Sequence, residues 1–168
     1  MNLSRNLKNK LFSKETIIPT IIVIIAFITD RVTKIIIINE HLNKESLFIN
    51  NFLNIDLAWN TGIGFGLFSL DANLFYHLIS VFIFLVIIFL FYLTIKANYA
   101  DKILFSLIIG GALGNIYDRI VYFAVPDFID FHINQFHWFT FNIADIFISA
   151  GVILIIIKDL IISKNEKN

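Results

Sequence analysis

The residues of this chain that could do chemistry stand where polar groups are expensive. The apolar stretch FNIADIFISAGVILIIIKDLII (141–162) carries Asn142 and Asp145 in its first turn, and a carboxylate in such a run needs an explanation. Upstream, GGALGNIYDRI places Asn115, Asp118 and Arg119 just after Gly114. VPDFID sets Asp127 and Asp130 among Val125, Phe128 and Ile129, a fourth apolar run holds Asp30 and Lys34, and Asn60 opens the glycine-rich NTGIGFG. There is no Cys, no G-x-S-x-G and no H-E-x-x-H, which removes thiol, serine-elbow and zincin chemistry. Paired carboxylates remain. Two acids close together in a dry pocket cannot both ionise easily, so one keeps a proton while the other activates water. Such a pair titrates as a unit. Composition fixes neither which two acids pair nor which bond they cut.

Each polar residue also has a plainer reading. Asp118 can be helix glue neutralised by an arginine such as Arg119, since Asn115, Asp118 and Arg119 share a helix face. Asp127 and Asp130 can be solvated loop acids. Asn142 suits an N-cap, which puts Asp145 at N3, where an acid satisfies backbone donors and the helix dipole. Asp30 and Lys34 stand four apart and can form an ion pair within one helix. His77, His132 and His137 read as interface residues whose spacing fits no strong metal signature, so no metal is expected. Capping and pairing do not explain why Asp30, Asn60, Asn115, Asp118, Arg119, Asp127, Asn142 and Asp145 all map to one membrane depth. That convergence marks a candidate site.

The elements that must position them follow from the hydropathy. Of the 168 residues 58% are hydrophobic and 15% charged, against about 25% charged in ordinary soluble domains. Four apolar segments, 17–38, 74–95, 103–120 and 143–162, each approach the ~20 residues a membrane-crossing helix needs. Basic residues sit before the first segment (Arg5, Lys8, Lys10, Lys14), between the second and third (Lys96, Lys102) and at the end (Lys158, Lys164, Lys167), whereas 39–73 holds only Lys44 and 121–142 holds neither Lys nor Arg. The positive-inside rule puts both termini in the cytoplasm and both long loops outside. The first run shows no small-residue cleavage site and is read as a retained helix. Gly110 and Gly114 form a G-x-x-x-G spacing that lets another helix approach. In 53–59, LNIDLAW, apolar and polar residues alternate, predicting a half-buried strand. The aromatic 132–141 is expected at the interface. Net charge is zero, and no nucleic-acid partner is expected. The expected fold is an all-α polytopic membrane protein: four transmembrane helices with a small extracytoplasmic β-sheet and an interfacial loop. Its membrane domain spans 17–162, with outer loops at 39–73 and 121–142, between cytoplasmic tails 1–16 and 163–168.

The ordered set DRVTK (30–34), NTGIGFG (60–66), GGALGNIYDR (110–119), VPDFIDF (125–131) and FNIAD (141–145) resembles bacterial lipoprotein signal peptidase, or signal peptidase II, over about residues 27–152. The resemblance implies a membrane aspartic endopeptidase of the bacterial cytoplasmic (inner) membrane. It would remove signal peptides from diacylglyceryl-modified prolipoproteins, cutting on the N-terminal side of the lipidated Cys near the outer face. It implies Asp127 and Asp145 as catalytic acids, and Asp30, Lys34, Asn60, Gly62, Gly111, Asn115, Asp118, Arg119 and Asn142 as residues lining or bracing the pocket. No cofactor is implied, and the expected partners are prolipoprotein substrates and membrane lipids around a monomer. Pro126 departs from the family, which usually has an aliphatic residue there, and altered loop geometry is expected. A transporter or channel using intramembrane carboxylates is the alternative, followed by a non-catalytic membrane assembly protein. Four helices with acids at one face leave the inner half without a polar path, which disfavours transport.

Overall fold

The computed structural model describes residues 13–41, 46–62, 72–134 and 136–165. Four helices are present among them: α1 (Lys14–His41), α2 (Ala72–Lys96), α3 (Tyr99–Val121) and α4 (Ile143–Asn165). Three are long and apolar enough to cross a membrane, over Tyr76–Lys96, Tyr99–Val121 and Ile143–Asn165. α1 is longer still, 28 residues, but carries Asp30, Arg31 and Lys34 inside its apolar run.

α3 is the hub, packing against α1, α2 and α4. Its small residues make that possible. A side chain at Gly114 would collide with the Asp30 carboxyl, and one at Gly110 would meet Ala26 of α1, so the G-x-x-x-G face is the contact with α1. Asn98 caps α3, its Oδ1 accepting from the Asp101 backbone N–H at 3.0 Å. Ile87, Ala112 and Ile116 form a buried cluster with Ile83, Leu113 and Ile148 against it. The opposite surfaces of α2 and α4 are apolar and exposed, with Phe82 and Ile95 of α2 and Leu160 of α4 all more than 60% exposed, as suits faces turned to lipid.

The remaining chain builds one antiparallel sheet in the order β1 (Leu47–Asn50), β2 (Leu53–Asn60), β3 (Val125–Ile133) and β4 (Phe136–Phe141). β2 falls where alternation predicts a strand. The β1–β2 turn is closed by Asn50, whose Oδ1 accepts from the backbone N–H groups of Phe52 at 2.8 Å and Leu53 at 3.0 Å. The loop expected at 121–142 forms the β3–β4 hairpin, so the mostly helical fold carries the small antiparallel sheet that was expected of it, and Asp127 and Asp130 are buried strand residues rather than solvated loop acids. The physical reason is pairing. β3 is bonded by β2 along one edge and by β4 over Ile129–Ile133 on the other, which satisfies a backbone that the aromatic sequence alone suggested would lie along the interface. Pro126 pairs with Trp59, beyond the end of β4. Its missing N–H therefore costs no ladder bond on the open edge, and the strand runs through it. Gly64 and Gly66 of the glycine-rich stretch, and Arg5, Lys8, Lys10, Lys44 and Lys167, lie outside the described residues.

Candidate active site

α4 begins beside β3, and Asn142 joins them. As N-cap of α4, its Oδ1 accepts from the Asp145 backbone N–H at 3.1 Å, while Asp145 Oδ2 accepts from the Asn142 backbone N–H at 3.1 Å. This is a reciprocal capping box. The Asn142 side-chain amide then donates to Asp127 Oδ1 at 2.6 Å. The other Asp127 oxygen accepts from Asn60 Nδ2 at 2.8 Å, and the second Asp145 oxygen accepts from Asn115 Nδ2 at 2.8 Å. Capping therefore uses one oxygen of Asp145 and leaves the other to the polar cluster.

Behind this pair lies a second polar layer between α1 and α3. Lys34 Nζ, fully buried, donates to Asp30 Oδ2 at 2.9 Å, Asn115 Oδ1 at 2.8 Å and Asp118 Oδ2 at 2.7 Å. Three acceptors saturate an ammonium's three donors. Asp30 Oδ1 accepts from the backbone N–H of Ala144 at 3.0 Å, docking the N-terminus of α4 onto α1. At Gly111 an added Cβ would meet the Ala144 carbonyl oxygen at 2.5 Å, so α3 and α4 touch backbone to backbone at the residue next to Asp145.

Asp118 is neutralised, but not by its neighbour Arg119. Its partners are Lys34 and Arg31, a residue that sequence reasoning passed over because its partner lies 87 positions away. Arg119 is buried with its guanidinium 5.2 Å from the Tyr76 ring. Its Nε and Nη1 have no hydrogen-bond partner among the described residues. Gly62, at φ 79°, passes so close that a Cβ there would sit 2.9 Å from Arg119 Nη2. A left-handed backbone and lack of space both require glycine at this point.

Burial pushes the Asp127 carboxyl from 3.8 up to about 6. The Asn60 and Asn142 amides pull it back down, the Asp145 charge adds to the rise, and the Lys34 charge opposes it. Asp127 is 3% exposed, whereas Asp145 and Asn115 are half-buried and Asn60 is exposed. The cluster is thus dry on the β3 side and open toward Asn60, which leaves water an approach. Asp130, three residues on, belongs to the opposite face of the strand. It bonds His137 at 2.7 Å and takes no part in the cluster. A cavity of about 300 Å³ lined by Pro19, Phe91 and Ser106 lies at the other end of the helices and contains none of these residues.

Comparison with known proteins places the chain in a family. The family model for Signal peptidase (SPase) II matches residues 22–161. The chain is 46% identical over 165 residues to the lipoprotein signal peptidase of Pelagibacter ubique, covering 95% of this chain and 99% of that one. It is 40% identical over 151 residues to that of Francisella tularensis, covering 87% and 93%. A bacterial membrane enzyme solved by the in meso method at 2.3 Å superposes with a TM-score of 0.71 at 37% identity, covering 88% of this chain and 90% of that one. By the extent of these matches, the chain belongs to the signal peptidase II family, a family of aspartic peptidases.

Proposed function

We propose that the chain removes signal peptides from diacylglyceryl-modified prolipoproteins, with Asp127 and Asp145 as its catalytic dyad. The observation that carries the reading is Asn142, which bonds both acids: its side chain holds Asp127, and its backbone and side chain hold Asp145. Two carboxylates fixed by one asparagine, one dry and one reachable by water, have the disposition that acid–base hydrolysis of a peptide needs. In the proposed reaction, one carboxylate takes a proton from water as the water attacks the scissile carbonyl, and the other protonates the carbonyl oxygen. The tetrahedral intermediate then collapses: the acid that took the water's proton gives it to the leaving amine, the other carboxylate takes back the proton from the former carbonyl oxygen, and the cut falls before the lipidated Cys.

The supporting residues have matching parts in this proposal. Asn115 couples Asp145 to Lys34, and Asn60 orients Asp127. The donors of Arg119 that lack a partner among the described residues would suit a polar group of the substrate. α1 serves as the fourth membrane span of a domain over 17–162, with both termini cytoplasmic and the sheet outside, so that a lipid-bearing substrate enters from the bilayer with its acyl chains still among lipids.

The test uses purified protein in detergent or lipid with a diacylated prolipoprotein peptide. Cleavage before the lipidated Cys is expected from wild type, and a loss of at least about 10³-fold from folded Asp127→Asn and Asp145→Asn alike. If both folded variants still cut, the dyad assignment is wrong. If folded wild type does not cut this peptide, the substrate assignment is wrong.

A further inference from the structure

On the other face of the sheet, three side chains that the proposed reaction does not use converge. Asp130 and His132 lie two apart on β3, and His137 faces His132 across the β3–β4 ladder. The two imidazoles stack with centroids 5.4 Å apart and planes at 29°. Both direct Nδ1 toward the same carboxylate oxygen, Asp130 Oδ2, at 2.7 Å for His137 and 3.7 Å for His132. Asp130 and His132 are about 95% buried. A hydrogen bond accounts for His137, but His132 Nδ1 is buried with no hydrogen-bond partner among the described residues. A buried nitrogen left in that state forfeits its hydration without a replacement bond, and something must offset the loss.

We propose that Asp130, His132 and His137 form a binding site for a divalent transition-metal ion of the Zn²⁺ class, clipping β3 to β4. Two imidazoles and one carboxylate are a donor set suited to that class rather than to Ca²⁺ or Mg²⁺, which favour all-oxygen sites. One potential ligand atom from each residue lies within 4.8 Å of the other two. Tetrahedral coordination at about 2.0–2.1 Å spaces ligand atoms roughly 3.3 Å apart. Binding therefore needs His137 to back away slightly from Asp130 and His132 to move in. His137 has the freedom to do so, with a side chain 59% exposed, and its exposure leaves a side on which water completes the shell. The ion displaces the Asp130–His137 proton, gives His132 Nδ1 a partner, and replaces one hydrogen bond by three metal bonds across the hairpin that also carries Asp127. It stands on the face opposite Asp127, so its role is to hold the strand rather than to act on the peptide.

The sequence gives only D-x-H-x₄-H here, which matches no strong metal signature; the ladder register brings the three together. The test uses the full-length chain without a histidine tag, in detergent and stripped by chelator. Titration with Co²⁺ is expected to develop visible ligand-field absorption that Zn²⁺ displaces. Calorimetry with Zn²⁺ is expected to show one ion per chain at micromolar affinity or better. His137→Ala and Asp130→Asn should each weaken binding by at least about tenfold, while His77→Ala, at the exposed start of α2, should leave it unchanged. Zn²⁺ should raise the Tm of wild type and not of His137→Ala. Absence of binding, or equal binding by wild type and folded His137→Ala, overturns the proposal. Neither result bears on the peptidase reading, because no substrate is present.

Discussion

At Asp127, burial and hydrogen bonding pull against each other, and burial wins. With its carboxyl raised from 3.8 to about 6, the folded protein binds a proton that the unfolded chain has already released. The stability this contributes is full below pH 3.8 and is lost as pH rises through about 6. The gap between the two values corresponds to about 3 kcal/mol. The charged groups acting on Asp127 are Asp145 and Lys34. Thermal unfolding in detergent should therefore show wild type losing more stability than Asp127→Asn between pH 4 and pH 7.5; parallel curves would show that Asp127 is not shifted. The same proton has a kinetic signature. If Asp127 is the acid of the pair, kcat/KM falls about tenfold per pH unit above an alkaline limb near 6, and a rate that stays flat to pH 8 assigns the proton elsewhere. The acids and asparagines of this cluster were legible in the sequence because each broke an apolar pattern, and so were the partners within one helix turn, Lys34 for Asp30 and Asn142 for Asp145. The distant partners were not: Arg31 reaches Asp118 through a helix contact that no local spacing encodes, and Arg119, the near neighbour, bonds neither oxygen.

The elements were legible in proportion to how far their periodicity is local. All four helices appear within a few residues of the apolar segments, since hydropathy reads directly as helix when the run is long. The i,i+4 pair of Asp30 and Lys34 forms as expected, and so does the close G-x-x-x-G face. β2 was visible by alternation, but β1, β3 and β4 were not: β3 is buried along most of its length, so neither face declares itself, and β1, four residues long, and the aromatic β4 are largely exposed and show no buried face for alternation to mark. The lock between α1 and α3 yields a prediction at this scale. Lys34 satisfies Asp30, Asn115 and Asp118 at once, so Lys34→Met strands buried carboxylates and should cost about 3–5 kcal/mol. Adding Asp30→Asn should recover part of that loss, since it removes one of the stranded charges. Chemical denaturation of the single and double variants in detergent checks this; a single variant as stable as wild type would mean that the network does not hold α1 to α3.

For the whole molecule, the charge pattern yields a prediction of orientation that the proposed function needs. Lys96 and Lys102 flank the α2–α3 turn, and Lys158 and Lys164 close α4, whereas the described outer segments 46–62 and 121–134 contain no Lys or Arg. On the positive-inside rule the α2–α3 turn is expected in the cytoplasm. The proposed orientation then has the sheet outside, since α3 runs from that turn to β3 and α4 returns from β4. The chain has no Cys, so single cysteines can be introduced without background. Asn51→Cys, exposed in the β1–β2 turn, should react with a membrane-impermeant maleimide in intact cells once the outer envelope is permeabilised. Ala97→Cys, in the α2–α3 turn, should react only after the inner membrane is opened. The reverse pattern would put Asp127 and Asp145 on the cytoplasmic side, where a signal peptide that has already crossed the membrane could not reach them. The two cysteines together therefore test the topology and the proposed substrate route, and they do so without relying on cleavage.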